Sequence, residues 1–450
     1  MLVRRFSFCL IILALMDLAA FGDINLFLNV KGRENVILYI KEIYASAADK
    51  GTIPLSEKPV KIAAKSGFGQ VFVGRVRGRG LRISTLTLLL DKVYVSGEEV
   101  KLCSEKVELP VSVKVDGNNA SLFMVWHVKE GLGKSGCYNP VFSVYSQTAP
   151  MEKEILTAVC GDADTLFFVR TDTNWVEASF STASEPEDVS MTCDNNLVLV
   201  LSEGDKLLQL ISVSPLRSVD LFPLPFVISP SRMAMIKDGM VVITDKDSGY
   251  MLVLRAKTGE IVGTKRMGFG IADVVADSDK EMVAVSVPDE QKVYLFNFSL
   301  APLGVIRVSG KPYSLWIDGG YIYITNVTTG NVDVYDLNTL KHRASVYSGR
   351  APVDLLDTGD KVYVSNKDEG TITVFDKKQY VRLRKIEVGK SPEDMSFFRM
   401  RNWLYVILEG EEKIAVVDTV RDRLIGKIDL GCCPSAIYTN PETEVRQSCW

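Results

Sequence analysis

The chain has only two histidines in 450 residues, His127 and His342. Hydrolysis by a side-chain nucleophile needs a base within reach of a serine or cysteine. His127 follows the apolar run Phe123-Met124-Val125-Trp126, and His342 opens a polar segment, so both read as structural or solvent-facing. No Cys-x-x-Cys pair occurs, which removes the usual zinc spacings, and without Cys-x-x-Cys-His there is no covalent c-type haem. A basic surplus is missing as well. The formal charge is −4, where nucleic-acid phosphates call for a basic footprint, so that class of partner is set aside. Beyond the N-terminus no apolar run is long enough for a membrane-spanning helix. Gly133-Lys134-Ser135 has the end of a phosphate loop but Val at position 128 where the loop needs glycine, and it reads as a turn.

Residues 1–22 have the layout of a secretory leader. Arg4 and Arg5 precede an apolar stretch from Phe6 to Met16, and Ala20-Phe21-Gly22 forms a small-x-small cleavage site before Asp23. Cys9 lies inside that stretch rather than at its end, which does not suit lipid attachment. Export to a periplasm, cell surface or extracellular medium is therefore expected, and there the remaining seven cysteines become disulfide candidates. Cys103 and Cys137 share one region. Cys160 and Cys449 flank the other at its two chain ends, with Cys432 and Cys433 close to the latter and Cys193 between; free, buried thiols are the alternative.

A phrase recurs in the C-terminal two-thirds. From Pro312 it reads Gly319, Tyr323, Asn326, Gly330, Val334, Asp336; from Pro352 it reads Gly359, Tyr363, Asn366, Gly370, Val374, Asp376, each displaced by 40. The landmarks extend to Pro186, Pro230, Ala272 in place of Pro, Pro312, Pro352, Pro392 and Pro434. Each unit offers four short strand-like runs, as in Tyr321–Ile324, Val332–Tyr335 and Arg343–Tyr347 after the strand that follows Pro312. Four strands per forty residues is the blade of a β-propeller. After Pro434 only one strand fits, while Ile155–Val159, Leu166–Val169 and Val176–Phe180 supply three before Pro186. One strand from the C-terminus and three from the N-terminal side would then complete a seventh blade and hide a sheet edge.

Tyr363-Val364-Ser365-Asn366 with Val374-Phe375-Asp376, and Tyr323-Ile324-Thr325-Asn326 with Val334-Tyr335-Asp336, resemble the YVTN-type β-propeller repeat of exported bacterial and archaeal surface proteins. The resemblance covers roughly residues 151 to 441 and is strongest in the three C-terminal units; Leu201-Ser202 and Val287-Pro288 depart from it. It implies a seven-bladed ring and no single activity.

Residues 23–149 form a different region. Apolar runs at Ile24–Val30, Val36–Ile40, Val60–Ala64, Val71–Val76, Leu81–Leu90, Val107–Val115, Leu122–Val128 and Val141–Tyr145 suggest a β-sandwich, with only Ile37–Ala48 also matching a helical period. The expected class is thus all-β: a leader (1–22), a β-sandwich (23–149), then a seven-bladed propeller with a short tail (150–450) closed by a one-plus-three strand clasp.

Charge supplies the candidate surface. In a four-stranded blade, the loop entering the first strand and the turn between the second and third emerge on one face. That face would carry Glu187, Asp188, Asp273, Asp354, Glu393 and Asp394 with further acids, while lysines and arginines gather at the opposite face and rim. Such a field steers cationic groups, although polar hairpin tips alone would also produce it. Asp188, Asp354 and Asp394 each lie two residues after a landmark Pro and fall nearest the axis. No metal site or cofactor is expected, apart from Ca²⁺ if these carboxylates converge. Arg75, Arg77, Arg79 and Arg82 around a Gly turn would form an anion grip or a solvated hairpin tip. The leading expectation is a non-enzymatic exported protein whose acidic propeller face engages a protein or cell-envelope partner. The alternatives are a metal-assisted propeller hydrolase or lactonase, and a structural envelope component.

Overall fold

The computed structural model describes residues 22–439, excluding 48–50, 57, 66, 79–81, 115–117, 134–135, 151–153, 193–194 and 269. The leader up to residue 21 with Cys9, the Lys134-Ser135 turn, and Arg79, Cys193 and Cys449 lie outside the described residues. Regular structure among the described residues is strand, punctuated by short 3₁₀ turns. No helix is long and apolar enough to cross a membrane. Contact density divides the chain into two compact units: Met1–Thr148 with Glu177–Ser181, and Ala149–Val176 with Thr182–Trp450.

In the first unit, β1 (Gly22–Lys31), β2 (Val36–Ala47), β3 (Gly51–Pro54), β4 (Val60–Ala63), β5 (Gln70–Gly78), β6 (Arg82–Val95), β7 (Glu98–Val100), β8 (Lys106–Lys114), β9 (Ala120–His127) and β10 (Val141–Ser146) form two sheets. One runs β10-β9-β1-β5, with β1 and β9 parallel. The other is built on the long β2–β6 pair, to which β3, β4, β7 and β8 add. Ile24, Leu26 and Leu28 of β1 share a single apolar core with Leu38, Ile40 and Ile43 of β2 and Leu86 and Leu88 of β6. Residues of β2 alternate between buried and accessible, the period of a strand, so the segment that also matched a helix is extended. Two further ties hold this unit. Trp126 Nε1 donates to the Tyr138 hydroxyl at 3.1 Å, and Cys103 is joined to Cys137.

Among the described residues, seven four-stranded antiparallel sheets are built from strands of the second unit, except that Glu177–Ser181 of one fourth strand is grouped with the first. Their first strands are Pro186–Met191, Pro230–Ile236, Asp273–Asp277, Pro312–Asp318, Pro352–Asp357, Pro392–Phe398 and Pro434–Thr439. In six sheets the four strands follow in chain order. In the seventh, Pro434–Thr439 pairs with Ile155–Cys160, which continues to Thr165–Arg170 and Trp175–Ser181, so one sheet joins the unit's end to its beginning. Second strands such as Tyr321–Asn326 and Lys361–Asn366 are buried on both faces between neighbouring sheets, which is why they read as continuous apolar runs. Fourth strands such as Val381–Glu387 are largely exposed and read as polar.

The repeated residues are structural. Gly330 and Gly370 have φ of +76° and +68°, and a Cβ there would lie 2.4 and 2.6 Å from the carbonyl oxygens of Gly349 and Gly389, so only glycine suits. Asn366 accepts from the Ser348 hydroxyl at 2.7 Å and donates to Thr373 at 2.9 Å. Asp336 and Asp376 accept backbone N–H groups of the turns that follow them. The residues that make the period visible are those that shape turns.

Candidate functional site: a carboxylate-lined central cavity

The first strands of all seven sheets line one cavity of about 650 Å³. Each proline is followed by a shift in strand register, as between Pro352 and Asp354, which turns backbone N–H groups away from their own sheet. Aspartates two residues after the proline collect them. Asp188 accepts from Val189 in its own strand at 2.8 Å and from Met233 in the next sheet at 2.7 Å. Asp273 does the same with Val274 and Leu315, both at 2.8 Å. Asp354 accepts from Leu355 and Met395 at 2.8 Å, and the Ser314 hydroxyl donates to it at 2.9 Å. Asp394 accepts from Ile437 at 3.2 Å. Four of the seven sheet junctions are therefore fastened by a carboxylate.

This pattern moves one landmark. Asp273 bonds as Asp188 and Asp354 do, so the position equivalent to proline is Ile271 rather than Ala272. The corresponding slots in the other sheets hold Arg232, Ser314 and Ala436, at the second residue after Pro230, Pro312 and Pro434. The cavity thus has four carboxylates and one guanidinium at equivalent depth. The remaining wall includes Met233, Trp316, Met395, Phe397 and Tyr438.

The electrostatics follow from depth. These side chains keep some surface open to the cavity yet are enclosed by protein on their other sides. Burial pushes Asp188 up to about 7, against the pull of Arg232, and Asp273 up to about 6. Asp354 is raised well above the ordinary value by burial and by repulsion from Asp394 and Asp273; burial also raises Asp394. Burial alone would lower Arg232, but the charges of Asp394, Asp188 and Asp273 outweigh it and hold the guanidinium protonated.

At the mouth, the acids expected on one face from the sequence have cations beside them. Lys246 bonds Glu203 at 2.6 Å and lies 3.8 Å from Glu187. Lys367 pairs with Glu393 and, at 2.8 Å, with Glu409. Lys311 pairs with Asp289, Lys427 with Glu411, and Lys385 with Glu369. Glu187 is still raised to about 7, by burial and then by Glu203. The opposite side mixes signs as well, with Lys377 against Asp357 and Lys361 2.7 Å from Asp422. Ion pairs, some within a sheet and some across sheets, thus offset Glu187, Glu203, Asp289, Glu369, Glu393, Glu409 and Glu411. The four deep aspartates are the part that remains; Glu393 lines the cavity but is paired with Lys367, and Glu187 stands outside it.

Other candidates are placed as follows. Arg75 donates to Asn25 at 2.7 Å and lies near Asp23, which Arg77 approaches at 3.5 Å; Arg82 begins β6 and is exposed. Two of the four arginines thus already face an acid. His127 bonds Ser143, and His342 on an outer strand bonds Ser345. Cys160 is joined to Cys432, next to the strand pairing that links the unit's two ends. Cys433 keeps a free thiol, pushed up to about 11 by burial and by Glu409. Among the described residues only Cys160, Asp162 and Cys432 bring three ligand atoms close enough for one ion, and those sulfurs are bonded to each other. The ring aspartates do not form such a group.

No protein-family model matches the chain, and no curated protein matches it. Solved structures do. A functionally unknown protein from Desulfotomaculum acetoxidans superposes with a TM-score of 0.58 at 14% identity, covering 64% of this chain and 100% of that one. A putative 6-phosphogluconolactonase from Bacteroides fragilis gives 0.55 at 12%, covering 63% and 96%. The fold is a β-propeller. A dihydro-heme d1 dehydrogenase gives 0.51 at 15%, with 63% of this chain and 65% of that chain covered. Likeness at these identities concerns the propeller scaffold alone, since one propeller fold hosts many activities.

Proposed function

We propose that this chain is an exported, non-enzymatic binding protein whose propeller is a closed ring of seven blades, and that it engages a protein or cell-envelope partner through the mouth of the central cavity. Closure is supported by the order of the first strands, each beside the next, with Pro434–Thr439 beside both Pro392–Phe398 and Pro186–Met191. Export is supported by the leader-like N-terminus and by the Cys103–Cys137 and Cys160–Cys432 disulfides.

The observation that carries the binding reading is the state of the cavity acids. Asp188, Asp273, Asp354 and Asp394 each hold backbone N–H groups and surround a cation, which suits a preorganised receptor. The Bacteroides neighbour is described as a putative lactonase. A metal-assisted hydrolase of that kind needs ligands converging on one ion, whereas these carboxylates do not form such a group and the positive charge of Arg232 acts on the same site.

The test uses the full chain and a Glu187→Lys/Glu393→Lys variant, which reverses charge at the mouth without touching an inter-sheet aspartate. Circular dichroism verifies the fold, and both proteins are challenged with envelope extracts. Loss of specific recovery by the variant is expected; an identical recovered set would remove the mouth from the account.

A further inference from the structure

Arg232 occupies an aspartate slot, and its guanidinium makes no hydrogen bond or ion pair with any described residue. The aspartates act on it through space only. An arginine used as an internal clamp ordinarily forms a bidentate pair with a carboxylate. This one has acids on several sides and meets none of them, leaving five N–H donors facing the cavity. A deep guanidinium without partners is costly unless something inside the cavity satisfies it. Trp316 Nε1 is a second donor on the same wall, buried and without an acceptor.

We propose that the cavity receives a small organic zwitterion of net positive charge, its carboxylate held by Arg232 and its ammonium groups by the surrounding aspartates. The carboxylate matches the planar fork of the guanidinium. The ammonium requirement follows from the groups present: four deep aspartates, with Glu393 on the same wall, offer more carboxyl oxygens than Arg232 can engage, and an ammonium is the partner that would hold such raised acids in their charged form. Asp188, Asp273 and Asp354 have both oxygens directed at backbone donors but retain lone pairs for a further donor. The volume of about 650 Å³ lies within the usual range for small-molecule sites and rules out a folded partner inside it. Met233 and Phe397 supply apolar wall for an alkyl body between the two charged ends.

This inference rests on the reading of the cavity as a receptor, and it is tested separately from partner capture. Isothermal titration calorimetry on the full chain compares lysine, cadaverine, which lacks the carboxylate, and hexanoate, which lacks the amines. Lysine is expected to bind at least tenfold tighter than cadaverine, with no heat from hexanoate. Arg232→Gln is expected to fold, since it removes no bond, and to bring lysine down to the level of cadaverine. Trp316→Phe keeps the wall and is expected to weaken lysine several-fold. Hexanoate binding as tightly as lysine, or an Arg232→Gln protein with unchanged lysine affinity, overturns the proposal. So does the absence of heat from all three probes. If that absence accompanies partner recovery still sensitive to Glu187 and Glu393, the zwitterion fails while the receptor reading stands; if recovery is also insensitive, both fail.

Discussion

Breaking the Cys160–Cys432 bond by a double substitution to serine perturbs the seam between the first and last strands of the propeller unit. The two cysteines are 272 residues apart, against 34 for Cys103 and Cys137. If a cross-link acts by restricting the unfolded chain, loop-closure entropy assigns about 5.5 kcal/mol to the longer loop and about 4 kcal/mol to the shorter at 25 °C. The longer-loop figure is an upper bound, because Ile155–Cys160 and Pro434–Thr439 also pair by backbone hydrogen bonds and the denatured chain is not a free coil. Guanidinium unfolding of the Cys160→Ser/Cys432→Ser and Cys103→Ser/Cys137→Ser proteins, followed by tryptophan fluorescence, measures both losses against the parent. The larger loss should fall on the long loop, and a reductant, which opens both bonds, should lower the parent further than either variant. A loss below about 1 kcal/mol for the long-loop variant would refute the reasoning, since it would mean that the seam is outside the cooperative unit.

Asp354→Ala leaves the N–H groups of Leu355 and Met395 and the Ser314 hydroxyl without their acceptor; after relief of carboxylate desolvation the expected cost is about 2–4 kcal/mol in thermal or chemical denaturation. Asp354→Asn, which retains one acceptor oxygen, should lose less, and equal losses would show that the bonds are not what matters. A second prediction concerns pH. Asp188 and Asp273 are raised from 3.8 to about 7 and about 6, so the folded state binds protons that the unfolded state has released between those values. Stability should therefore rise as pH falls from about 7 towards about 4, in melting temperatures recorded across that window. Below it, groups lowered in the folded state, such as Asp245 and Glu411, reverse the trend. The cost of Asp354→Ala should grow in the same direction, because the parent gains what the variant cannot; a cost that shrinks on acidification would contradict the assignment of Asp354 as a raised acid.

The blade period was legible because turn geometry imposes it: Gly330, Gly370, Asn366 and Asp376 recur where a positive φ or a capped turn is needed. The axial position of Asp188, Asp354 and Asp394 was legible from their spacing to proline. Arg232 occupies the same slot after Pro230 but was not legible as part of the site, because its sign is opposite to that of the aspartates which define the pattern. Asp273 was assigned to the acidic face with its landmark one residue off, because Ile271 replaces the proline that marks the others. The cations neutralising the mouth were not legible for a different reason. Lys246 meets Glu203 and Glu187 across sheets, at separations that no local pattern encodes. In the first unit, the parallel pairing of β1 with β9 joins segments almost a hundred residues apart and left no trace in the alternation of either.

Hydrogen exchange of the intact, oxidised protein, resolved to the peptides covering Ile155–Cys160 and Pro434–Thr439, tests ring closure most directly. Closure predicts that Pro434–Thr439 is as protected as the first strands at Pro352–Asp357 and Pro392–Phe398, and that it opens together with Ile155–Cys160 as denaturant is added. Exchange of Pro434–Thr439 at the rate of unstructured chain, with the other first strands still protected, would contradict it.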